Sequence, residues 1–142
     1  MKPILENLDL IDLISERHLL LRRITEKTWN DRSEISISNS EWFILARIYG
    51  IRPTLSHVSK SVDISRQATH KLVRGLESKG LVLIEDSTEN NKDKCIRMTP
   101  LGEECYEKNL ALKGELIERI EEHIGSDNVK LLTEILMAEW GI

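Results

Sequence analysis

Between positions 65 and 74 the chain strings together Ser65, Arg66, Gln67, Thr69, His70, Lys71 and Arg74, and no acid follows until Glu77. Guanidinium and ammonium groups bond phosphate oxygens and guanine edges, a carboxamide matches an adenine edge, and hydroxyls serve phosphates. The stretch therefore has the chemistry to hold a polyanion and to inspect an ordered edge of it. A merely solvated helix face carries the same residue types, so the decision rests on the elements that present them.

Two short helical patterns meet at a tight turn here. Thr54 is a suitable N-cap, its hydroxyl able to accept a first-turn N–H, and Pro53 discourages helix upstream. Leu55, Val58, Ser59 and Val62 recur at helical spacing, with Ser59 small enough to admit a crossing helix. Asp63-Ile64 makes the turn. Ser65 caps the second helix, Ala68, Leu72, Val73 and Leu76 form its apolar stripe, and Gly80 ends it after Lys79. The donors named above are left facing outward.

A hairpin pattern comes next. Leu81-Val82-Leu83-Ile84 is an aliphatic run too short for a helix, and Cys95-Ile96-Arg97-Met98 alternates as a half-buried strand does, with Ile96 and Met98 inward and Cys95 outward. Glu85 to Lys94 holds no apolar residue and reads as a polar tip. Thr99-Pro100 opens a further helix with a cap and a proline at the first helical position.

The run from Ser65 to Val82, the polar tip, and Met98-Thr-Pro-Leu-Gly102 together resemble the MarR family of winged-helix transcriptional regulators. The likeness extends to a long helical pattern at the start, to Ser38-Asn-Ser-Glu-Trp-Phe-Ile-Leu45 as a capped helix before the motif, and to two helical segments after it. It implies a mainly α (α+β) fold: a winged helix-turn-helix with a two-stranded β-wing, flanked by N- and C-terminal dimerisation helices. The expected organisation is one domain over 1–142, with a helical dimerisation layer in 1–33 and 100–142 and a DNA-binding region in 38–99.

The resemblance further implies a homodimer on a pseudo-palindromic operator in double-stranded DNA, acting as a repressor and released by a small-molecule effector. Its recognition helix would use Ser65, Arg66, Gln67, Thr69, His70, Lys71 and Arg74, and its wing Asn90, Asn91, Lys92 and Lys94. The effector pocket would lie near His18, Trp29, Trp42 and Phe43. One departure stands out: the family's wing carries Asp-x-Arg where this chain reads Asn90-Asn91-Lys92, which keeps the charge and loses the planar fork suited to a narrow minor groove. Ile84 stands where a basic residue is common, and Glu85, Asp86 and Glu89 are expected to oppose DNA. The alternative is a winged helix that has exchanged DNA for a protein partner, or a redox- or metal-responsive regulator.

Length and composition agree with a helical, single-domain reading. The chain has 142 residues, 31% charged and 4% aromatic, and no apolar run approaches the roughly 20 residues of a membrane span. The start, Met1-Lys-Pro-Ile-Leu-Glu-Asn, is a poor signal peptide, so a cytoplasmic protein is expected. Cys95 and Cys105 make no disulfide framework, and His18, His57, His70 and His123 have no metal-ligand spacing. No nucleophile elbow, phosphate loop or cofactor motif is present, which argues against an enzyme.

Net charge is −4, yet its distribution matters more than its sum. Lys60 to Gly80 holds five Lys/Arg against Asp63 and Glu77, while Pro100 to the end holds ten acids against four bases. The flanking patterns are broadly apolar: Ile4, Leu5, Leu8, Ile11, Leu13, Ile14, His18, Leu21 and Ile24 at one end, widened by Leu19 and Leu20, then Leu110, Leu116, Ile117, Ile120 and Ile124 at the other. Gly125 ends that stripe, and Ser126 is expected to cap a last helix carrying Val129, Leu132, Ile135, Leu136 and Trp140. Such faces call for a second surface.

Overall fold

The computed structural model describes residues 5–62, 64–87 and 93–142. They form α1 (Leu10–Arg32), α2 (Asn39–Ile48), α3 (Leu55–Ser61), α4 (Arg66–Ser78), β1 (Val82–Asp86), β2 (Lys94–Met98), α5 (Pro100–Ile124) and α6 (Ser126–Met137), after a 3-10 turn at Leu5–Asn7. The chain divides into two compact units, Met1–Glu107 and Lys108–Ile142.

In the first unit each helix begins where a side chain satisfies a free N–H. Asp9, Ser38, Thr54 and Ser65 accept from the backbone of Asp12, Glu41, His57 and Ala68. At Ser38 the bond is reciprocal, since Glu41 reaches back to the Ser38 N–H, a capping box. The end of α4 is a Schellman closure: Leu81 N–H bonds Leu76 O at 3.0 Å, Gly80 N–H bonds Glu77 O at 2.9 Å, and Gly80 has φ +77°. That closure turns the chain directly into β1.

β1 and β2 pair antiparallel, with Val82 opposite Met98 and Ile84 opposite Ile96. The strands reach Asp86 and Lys94, so the polar tip is shorter than the composition predicts. A third piece joins them, because Thr54 bridges Cys95 and Ile96 N–H bonds Pro53 O at 2.9 Å. The linker before α3 thereby shields β2 on the side away from β1. This explains a correction: Cys95 is buried rather than outward.

The core lies where α2, α3, α4 and the hairpin meet, around Ile44, Leu45, Ile48, Val58, Val73, Leu76, Val82 and Ile96, all at most 1% exposed. α4 buries Val73 and Leu76 of the predicted stripe and adds Thr69 to them, while Leu72 is half-buried and Ala68 exposed. Thr69 enters the core because its hydroxyl donates to Ser65 O at 3.1 Å, leaving a methyl group to pack.

The start of α5 is seated on the first unit. Thr99 N–H bonds Leu81 O, the Thr99 hydroxyl donates to Gly80 O at 2.6 Å, and Thr99 Oγ1 itself accepts from Gly102 N–H at 3.0 Å. Farther along, the Tyr49 hydroxyl donates to Glu107 at 2.9 Å and its ring stacks on Tyr106 with centroids 4.4 Å apart. The Glu107 carboxylate, by accepting that proton in a hydrogen bond, raises the Tyr49 pKa.

The second unit contains the rest of α5 and α6. Gly125, at φ +94°, is the N-cap of α6 and Ser126 its first residue, so the expected serine cap is displaced by one position. α6 ends at Met137. Trp140 lies beyond it and donates its indole N–H to Ile135 O at 2.7 Å.

Candidate nucleic-acid interface

Ser65 fixes the register of α4, and the register decides which donors emerge. With Thr69, Val73 and Leu76 turned inward, the spacing of three and four places Gln67, Lys71 and Arg74 in one stripe on the opposite side. All three are exposed, as are Ser65 and Arg66. Among the described residues, the side chains of Arg66, Gln67, Lys71 and Arg74 make no hydrogen bond or ion pair, so their donors are unspent.

Two predicted members of this row stand differently. Thr69 is 0% exposed, and no groove-facing role is open to it while its hydroxyl sits on the α4 backbone. His70 is half-buried, and its Nε2 is shielded without a hydrogen-bond partner among the described residues. The ring therefore flanks the stripe rather than crowning it.

In the wing region Asn90, Asn91 and Lys92 lie outside the described residues. Lys94 is exposed and paired with Asp86. Glu85 is held from two sides: Arg97 Nε donates to Oε1 at 2.6 Å and Arg52 Nε to Oε2 at 2.9 Å, while Arg52 Nη2 also reaches Asp86 O at 3.0 Å. Of the acids expected to oppose DNA, Glu85 and Asp86 are both paired with cations, and Glu89 lies outside the described residues.

Sequence reasoning missed Arg52 and Arg97. The alternation of β2 had a signal for Arg97, which falls on the face opposite Ile96 and Met98, beside Glu85. Arg52 had none, because its approach depends on the linker joining the sheet.

These contacts set an acid dependence. The hydrogen bond from Arg97 and then that from Arg52 lower the Glu85 pKa, and Lys94 lowers that of Asp86. A carboxylate with a depressed folded pKa contributes its stability above the unfolded value and loses it as pH falls through the folded one. The stem should therefore be fully tied at neutral pH and loosen only below the ordinary carboxylate range. An NMR titration of the Glu85 side-chain carboxyl should show its midpoint below that of a free glutamate. A midpoint at or above the free value would mean that these pairs do not persist in solution.

The aromatic group expected to line a pocket is only partly brought together. Trp29 and Trp42 are 1% and 6% exposed and meet edge to face at 5.1 Å. Phe43 is at the surface, with the guanidinium carbons of Arg22 and Arg47 at 4.7 and 5.5 Å from its ring centre. His18 is exposed and lies eleven residues before Trp29, roughly 16 Å along α1. Trp29 and Trp42 thus pack against each other, while among the described residues the Trp42 Nε1 donor and Asn39 Oδ1 acceptor are buried without partners. Among the described residues no His, Cys, Asp and Glu are grouped to hold a metal, and no helix is long and apolar enough to cross a membrane.

No family model matches the chain. Curated relatives include HTH-type transcriptional regulators of Staphylococcus aureus strains Mu50 and N315, themselves uncharacterized, each 32% identical over 73 residues, or 51% of this chain and 50% of the relative. The chain spans about half the length of the curated relatives it matches.

Solved structures align far more completely. A MarR mutant from E. coli complexed with operator DNA has a TM-score of 0.76 at 19% identity, covering 96% of each chain. MepR of S. aureus, in a complex with DNA, has a TM-score of 0.73 at 16% identity, covering 92% of this chain and 95% of its own. The transcriptional regulator BldR of Sulfolobus solfataricus has a TM-score of 0.73 at 17% identity, covering 96% and 98%. The fold of this chain is the winged-helix fold of those proteins.

Proposed function

We propose that this chain, which carries the MarR-type winged-helix fold, is a MarR-family transcriptional regulator that binds double-stranded DNA through α4. The observation that carries the reading is the exposed stripe of Gln67, Lys71 and Arg74, flanked by Arg66, whose donors have no partner among the described residues. Placed in a major groove, its cations supply phosphate contacts while the residues nearest Ser65 reach base edges. The wing residues Asn90, Asn91 and Lys92 would lie against the neighbouring backbone.

In this reading the protein works as a homodimer on a pseudo-palindromic site and represses transcription until an effector releases it. Support for the dimer comes from apolar side chains left open in a single copy. Leu10 and Ile11 on α1 are 68% and 74% exposed, and Leu131, Leu132, Leu136 and Met137 on α6 are at least 50% exposed. A second copy is the simplest cover for faces of this kind. An effector site near Trp42 and Phe43 is part of the same proposal, supported by the unpartnered Trp42 Nε1 and Asn39 Oδ1.

The test combines mass and salt. Light scattering at micromolar concentration should give about twice the 16.4 kDa of one chain. Binding to duplexes selected from a random pool should weaken linearly in log–log salt plots, with a slope near −0.9 for each phosphate neutralised. A monomer would defeat the dimer, and salt-insensitive or undetectable DNA binding would defeat the function. The second reading, a module for a protein partner, is favoured by one observation: Lys94, Arg97 and Arg52 are engaged by Glu85 and Asp86. It predicts that alanine at Lys71 and Arg74 leaves partner binding intact.

A further inference from the structure

The ammonium of Lys79, just past the end of α4, has three acceptors. They are Ser36 O at 2.6 Å, Glu41 Oε1 at 2.7 Å and Glu41 Oε2 at 2.9 Å, which accounts for all three of its N–H donors. Glu41 is only 7% exposed, and its Oε1 also accepts the Ser38 N–H at 3.0 Å. Gly75, one turn before Lys79, faces the same carboxylate, since a Cβ there would lie 3.6 Å from Oε2. The end of α4 is thus docked on the start of α2 through a single buried carboxylate.

The segment that receives Lys79 is fastened to α1 from its other side. Trp29 Nε1 donates to Ile35 O at 2.8 Å, Ile37 N–H to Asn30 Oδ1 at 3.3 Å, and Asn39 N–H to Glu26 Oε2 at 3.0 Å. Three side chains of α1 therefore hold residues 35–39, and Lys79 ties those residues to α4. Buried ion pairs are weak sources of net stability, and fixing one geometry among several is their better-attested use.

We infer that Lys79, with Glu41, is a positioning residue that sets the tilt of α4 and couples it to α1. The inference rests on the DNA-binding reading above. Lys79 sits fourteen residues from Ser65, roughly 21 Å along the helix. A tilt of about 10° at the docked end therefore moves the first turn, with Arg66 and Gln67, by roughly 3.6 Å. That is more than a hydrogen bond to a base edge tolerates. Lys79 acts on specificity without touching DNA.

The experiment compares Lys79→Met, Glu41→Gln and the unsubstituted chain on a duplex selected by the latter from a random pool and on a scrambled duplex. Lys79→Met should lower affinity for the selected site by about 10- to 100-fold, change scrambled-site affinity less than twofold, and leave the salt slope unchanged. Glu41→Gln keeps the volume and the capping box and should show the same pattern more weakly. In a Trp140→Phe background, where only Trp29 and Trp42 emit, DNA binding should shift the tryptophan spectrum of the Lys79-bearing protein and not that of Lys79→Met.

Unchanged selectivity in both variants would overturn the inference. So would a parallel fall on both duplexes with a slope smaller by about one, which marks a phosphate contact. An identical tryptophan response with and without Lys79 would overturn the coupling to α1. If the unsubstituted chain binds no duplex, the DNA-binding reading fails and this inference with it; the other outcomes strike the inference alone.

Discussion

Gly102→Ala is expected to destabilise the protein by about 3 kcal/mol or more, or to prevent folding. A Cβ at that position would stand 2.1 Å from Leu81 O and 2.6 Å from Met98 Cγ, and neither can retreat cheaply. Leu81 O accepts the Thr99 N–H, and Met98 is a buried strand residue opposite Val82. The methyl group must therefore push the first turn of α5 off the hairpin, breaking the cap at Thr99 as it goes. Gly114, in the same helix, has nothing within 4 Å of a built Cβ, and alanine there should be neutral or stabilising by about 0.5–1 kcal/mol. Urea denaturation of the two variants decides the matter: comparable midpoints would show that the approach of α5 to β1 is looser than the structure has it.

The second large effect concerns binding. Lys71→Ala and Arg74→Ala together should weaken binding to every duplex and flatten the salt dependence by about 0.9 for each phosphate contact removed. Arg66→Ala or Gln67→Ala, nearer the start of α4, should in addition relax discrimination between bases, by about 1–3 kcal/mol per lost base contact. Thr69→Ala is a useful control, because the buried hydroxyl serves the backbone of its own helix and its loss should appear in stability before affinity. A gel-shift titration unaffected by all four outward substitutions would remove α4 as the reading element.

Much of the architecture was legible from local chemistry. Thr54, Ser65 and Ser38 act through atoms within three residues, so their caps could be read directly and are found where predicted. The glycine stop at Gly80 is of the same kind. The errors fall where local pattern competes with an available partner. Polarity puts Thr69 outward, but a helix lets it spend its hydroxyl on the carbonyl four residues back. Strict alternation puts Cys95 outward, which assumes that one face of the hairpin is open. Ser126 has the chemistry of a cap, whereas the chain turns at Gly125, whose positive φ only glycine adopts readily.

The site divides along the same line. The residue types between Ser65 and Arg74 and the phase set by the serine cap determine that a row of cationic and amide donors lies on one side of α4, because both properties depend only on helix geometry. Which donors remain unspent depends on distant parts of the chain. Lys79 is consumed by Glu41 across 38 positions, Lys94 by Asp86 across the hairpin, and Arg97 shares Glu85 with Arg52 from 33 positions away. Charge counted along the sequence treats these cations alike. Only the tertiary structure separates those that hold the protein together from Arg66, Lys71 and Arg74, which have no partner among the described residues, because an ion pair is decided by distance in space and not by distance along the chain.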